Sequence, residues 1–126
     1  MFSHVPAHAA LARHHVAFDG LSLALYEDTG DEVQPLRLTT ALPVPSGVTI
    51  GGHGLATIEL AAVERAATTV VGGAPDQFPD AFRALHEWIG QSGEQATSFD
   101  RELYIGCDGP RDTWVTEVQT ILEPRP

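Results

Sequence analysis

Slid along itself by 78 positions, the chain meets its own pattern again. Tyr26 falls on Tyr104, LALYED lands on RELYIG, and the stretch 36–44 lands on 114–122 without a gap. A chain of 126 residues supplies one hydrophobic core, so this spacing describes two units inside a single domain rather than two domains. Each unit reads as a helix followed by two antiparallel strands, and the second has an extra strand region ahead of its helix. The boundaries are a first module over 1–45, a Pro/Gly/Ser connector over 45–54 and a second module over 55–123. In the first module the leading strand would fall before Met1. Either the product is longer, or the sheet has an exposed neighbour that needs other cover, of which a homodimer is one form.

The helix of the second module carries the clearest periodicity. Phe78, Phe82, Leu85 and Trp88 or Ile89 recur at helical spacing and make one apolar stripe. Asp76 is placed to cap it, Pro79 and Asp80 suit its first turn, and Gly90 with Gly93 end it, which predicts a helix over 77–91. A thinner stripe of Val5, His8, Leu11 and Ala12 predicts a partner over 3–14. Strands are expected over 21–27, 36–44, 101–106 and 114–122, and 56–71 reads as extended with a break near 63–65. The fold class is therefore α+β.

Charge removes several functions. Seventeen acidic residues face seven basic ones, all arginine, for a net charge of -10. Such a surface repels phosphate backbones and anionic lipid, so neither nucleic acid nor membrane is an expected partner. The lone cysteine, Cys107, excludes an internal disulfide and a cysteine-built metal cage, which suits a reducing, cytoplasmic setting. No apolar run reaches the roughly 18 residues of a membrane-spanning helix. His4 and His8 stand four apart with His14 beyond, but no HExxH glutamate or paired carboxylate accompanies them, so no metal is expected. The glycines of GGHG and GVTIGG read as connector rather than as a phosphate-binding loop, and no cofactor is expected.

Four segments in order, IELAAVERAATTVVGG, DQFPDAFRALHEWI, RELYIG and WVTEVQTIL, resemble the GyrI-like small-molecule-binding domain, the effector-binding domain of AraC-type and MerR-type multidrug regulators. The resemblance covers about 55–122 well and 21–45 more loosely. It implies pseudo-two-fold tandem strand-helix-strand-strand modules, an antiparallel sheet with helices on one face, and a ligand cleft where the modules meet. It also implies the function: binding of hydrophobic, cationic or aromatic small molecules, as a stand-alone sensor or sequestering protein or as the effector domain of a regulator. Some relatives of this fold resemble hydrolases of electrophilic rings, which gives an enzymatic alternative, and the name-giving relative suggests a weaker third reading, inhibition of a topoisomerase by protein contact.

The family's acidic position in the last strand matches Glu117. Alternation puts Val115, Glu117, Gln119 and Ile121 on one face of that strand, and Trp114, Thr116, Val118, Thr120 and Leu122 on the other. A carboxylate among aliphatic neighbours loses hydration and needs a partner, and a cationic ligand supplies one. Tyr104 matches the family tyrosine and Tyr26 is its repeat mate, so the two are expected to wall the cleft. Glu102 shares a strand face with Tyr104, while Leu103 and Ile105 take the other, expected beneath the helices. Trp114 is a core or cleft-edge residue, and Trp88 is explained by the helical stripe but remains a candidate wall. The enzymatic alternative uses Glu117 with Tyr104 as its catalytic pair.

Overall fold

A computed structural model describes residues 22–45, 47, 49, 51–52, 54–60 and 62–125. The stripe of the second-half helix organises it. Helix α1 runs Phe78–Gln91, entered through a 3-10 turn over Pro75–Gln77. Pro79 sits in the first turn, where its missing N–H removes no helical hydrogen bond. Phe78, Leu85 and Ile89 are buried, with Ala81 and Phe82 packed beside them. The stripe thus resolves onto Ile89, and Trp88 is 52% exposed. The expected Asp76 cap does not form; Gln77 holds the N-cap position without a side-chain bond. At the other end Gly93 takes φ +74°, which lets the Glu94 N–H reach the Ile89 carbonyl at 3.3 Å.

The strands are β1 (Leu23–Asp28), β2 (Leu36–Ala41), β3 (Ala66–Gly72), β4 (Ala96–Gly106) and β5 (Val115–Leu122). They form one sheet in the order β2-β1-β4-β5-β3, with every neighbouring pair antiparallel. The α+β class and antiparallel sheet expected from the sequence are therefore present. β2 stops at Ala41, short of Pro43, whose ring cannot donate to a ladder. The extended region 56–71 becomes a strand only from Ala66. β4 starts at Ala96, earlier than expected, with a register shift between Ala96 and Asp100. The helix expected over 3–14 lies outside the described residues.

α1 packs over β5 and β3. Its core partners are Val118 and Leu122 of β5 and Ala67 and Val71 of β3. This fixes the phase of β4, because cross-strand partners share a face. Glu102 pairs with Val118 and Tyr104 with Thr116, so Glu102 and Tyr104 point to the helix side. The placement of Leu103 and Ile105 beneath the helices is thus corrected: they take the opposite face, and Ile105 is 44% exposed. Among the described residues no helix is long and apolar enough to cross a membrane.

An ionic clamp ties the sheet ends to the helix. Arg65, just before β3, grips Glu94 through two bonds of 2.7 and 2.8 Å, and Arg125 adds a third at 2.8 Å. The bonds from Arg65 and then Arg125 lower the Glu94 pKa from 4.5 to about 2. A carboxyl with a depressed folded-state pKa adds stability that is complete above its unfolded value and is lost as pH falls through the folded one. Melting curves taken between pH 5 and about pH 2 should therefore show a fall in stability that Glu94→Gln flattens; parallel curves for both proteins would count against the clamp.

Candidate functional site

Among the described residues the buried acid is Glu102. It lies on β4 beside the sheet centre, 5% exposed, directly opposite Ala24 of β1. The Tyr104 hydroxyl donates to its Oε1 at 2.7 Å, and Tyr26 on β1 hydrogen-bonds the same carboxylate. Both bonds follow from strand geometry: Tyr104 is two residues along on the same face, and Tyr26 is the diagonal neighbour across the β1–β4 ladder. The Phe82 ring meets Tyr26 edge-on, with centroids 6.4 Å apart. Burial raises the Glu102 pKa, and the two tyrosine bonds oppose that rise. Burial likewise raises both tyrosines, and Glu102 adds to the effect. Among the described residues no cation bonds Glu102, and the groups that bond it are the two neutral tyrosine hydroxyls.

Glu117 sits elsewhere. It pairs with Leu103 and Val70 on the face away from α1, half-buried, and accepts a 3.3 Å bond from the Gln119 amide. Arg101 on the same face feels its charge. The sheet therefore separates Glu117 from Tyr104, Tyr26 and Glu102, and Glu117 with Tyr104 cannot act on one reacting atom. Trp114 precedes β5; its indole N–H donates to the Gly109 carbonyl at 3.0 Å, and Arg111 stacks 5.7 Å from its ring centre. Trp88 points outward on α1.

No family model matches the chain, and no curated protein matches it.

A cavity of about 590 Å³ opens at the end of the sheet where β1, β2, β4 and β5 meet the segment ahead of β3. Leu25, Thr39, Phe99, Arg101 and Ile121 supply its sheet wall, and Leu60 and Val63 close it from the segment. Glu27, on its rim, is paired with Arg37 at 3.0 Å. Tyr26 borders this cavity as well as Glu102. Near the helix, His86 Nε2 lies 3.5 Å from Asp100 and 3.4 Å from the Thr120 hydroxyl. Both contacts use the same ring nitrogen, so they do not form a proton relay. Among the described residues no group of three His, Cys, Asp or Glu could hold a metal; His4, His8 and His14 lie outside them.

The sequence pattern contained the signal for Glu102. Glu102 stands two residues before Tyr104, and the tyrosines are repeat mates, so a shared face was readable. The cavity was not, since its outer wall comes from a segment without regular structure.

Proposed function

We propose that the chain is a small-molecule-binding domain of GyrI-like kind that takes hydrophobic, cationic or aromatic compounds. It would act as a stand-alone sensor or sequestering protein, or as the effector domain of a regulator. The acid that meets the ligand is Glu102 in this reading, not Glu117. One observation carries it: a buried carboxylate between two tyrosine hydroxyls with no cation bonded to it among the described residues. A bound cation restores the electrostatic balance that burial removed, and ring faces beside it add on the order of 0.5–2 kcal/mol each.

The tandem-module architecture has separate support in the strand register. Tyr26 opposite Leu38 corresponds to Tyr104 opposite Thr116 under the 78-residue shift, and Glu102 stands opposite Ala24, its own repeat mate. A pseudo-two-fold axis through the Ala24–Glu102 pair would exchange the two hairpins. Repeat-mated tyrosines then converge on an acid beside that axis.

Tetraphenylphosphonium and tetraphenylborate have nearly the same shape and opposite charge, which makes them a direct test. Calorimetry should show the phosphonium bound and the borate not, with Glu102→Gln weakening the phosphonium by about tenfold or more and Glu117→Gln leaving it unchanged. Equal binding of both ions, or indifference to Glu102→Gln, would overturn the reading. A protonated Glu102 between hydroxyls could also serve as a general acid, which keeps the hydrolytic reading with this residue in place of Glu117. That version requires turnover of an epoxide probe that vanishes in Glu102→Gln.

A further inference from the structure

The cavity shares Tyr26 with the Glu102 cluster but opens mainly on the other side of the sheet, and we propose that it is a second binding site, for a hydrophobic carboxylic acid held by Arg101. Arg101 on β4 belongs to the cavity wall and shares its strand face with Leu25 of β1, its cross-strand partner. Its Nε is buried and has no hydrogen-bond partner among the described residues. Gln119, opposite it on β5, does not relieve this: its amide nitrogen donates to Glu117, and its own buried Oε1 is left unpaired.

The other charged groups around the cavity are Glu27, Arg37, Glu59, Glu64 and Asp100. Glu27 is bonded to Arg37. Asp100 pairs with Thr120 and so faces the helix side; its Oδ1 lies 3.5 Å from His86 Nε2 and is buried without a hydrogen bond among the described residues. Glu59 and Glu64 lie on the exposed segment, where water screens them. Glu117 attracts Arg101 through space without an ion pair between them, and burial lowers the Arg101 pKa more than that attraction raises it. The cavity thus sets one incompletely solvated guanidinium beside the apolar surface of Leu25, Leu60, Val63, Phe99 and Ile121. A planar guanidinium is matched best by a carboxylate, and a buried N–H without an acceptor costs the fold until one arrives. Phe99, 46% exposed, and Leu60, 47% exposed, offer apolar surface to the ligand's tail.

Three ten-carbon compounds with different head groups test this on the full chain: decanoate, 1-decanol and decyltrimethylammonium, compared by calorimetry below their aggregation limits. Decanoate should bind about 10- to 100-fold tighter than decanol, the range expected for a charge-assisted hydrogen bond. Arg101→Gln should erase that difference and leave decanol binding as it was. Thr39→Trp, which fills the cavity from β2, should weaken both. Glu102→Gln should leave decanoate unaffected, so failure here and failure of the cation site are distinguishable. Decanol binding as tightly as decanoate, the ammonium binding tightest, or Thr39→Trp changing neither would overturn the proposal, and the head-group comparison in the unaltered protein decides it even if Arg101→Gln fails to fold.

Discussion

Phe78→Ala should lower folding stability by about 3–5 kcal/mol, read as a shift of the urea midpoint at unchanged slope. The ring is 6% exposed and opens the helix in the cluster formed with Val71, Val118 and Leu85. Ala67, its smallest neighbour in that cluster, has no atoms with which to refill the space. Against a total of about 5–15 kcal/mol for a domain, this loss leaves little in reserve. Trp88→Ala on the exposed side of the same helix should stay within about 0.5 kcal/mol. If the tryptophan variant cost as much as the phenylalanine one, the helix would be rotated on the sheet relative to the arrangement described.

Glu102→Gln should raise stability near neutral pH while removing cation binding. Burial lifts the folded-state pKa of this acid above 4.5, so the folded protein binds more protons than the unfolded chain between the two values. Stability contributed by Glu102 is accordingly complete below pH 4.5 and is lost as pH rises through the elevated folded value. This slope is opposite in sign to that of Glu94, whose contribution is lost toward about pH 2. Glutamine keeps an acceptor for one tyrosine hydroxyl and adds a donor for the other, without a charge. Thermal melts across pH 4–8 should show the wild-type decline on the alkaline side flattened in the variant; a variant less stable than wild type throughout that range would mean the carboxylate is compensated after all.

Much of the architecture was readable because periodicity is a local property. The stripe from Phe78 to Leu85 marked α1, and alternating residues around Tyr26 and Tyr104 marked the paired strands. The side of the sheet that receives the helix was harder. Alternation groups Glu102 with Tyr104 and Leu103 with Ile105, but it does not say which pair turns inward. Apolar Leu103 and Ile105 argued for themselves, and the register with Val118 decided the opposite. Trp88 and Ile89 differ by one step of about 100° on the helix, too little for a three-point stripe to separate. Glu117 and Glu102 both stand beside aliphatic residues in strands, so local sequence could not tell the buried acid from the half-exposed one.

The alternation along Asp100, Arg101 and Glu102 sends three charged neighbours to alternate sides of one strand. Arg101 and Glu102 are joined by one peptide bond, so the two proposed sites share the backbone of β4. Were an acid on one side to alter the affinity for a cation on the other, the cation would have to alter the affinity for the acid by the same factor.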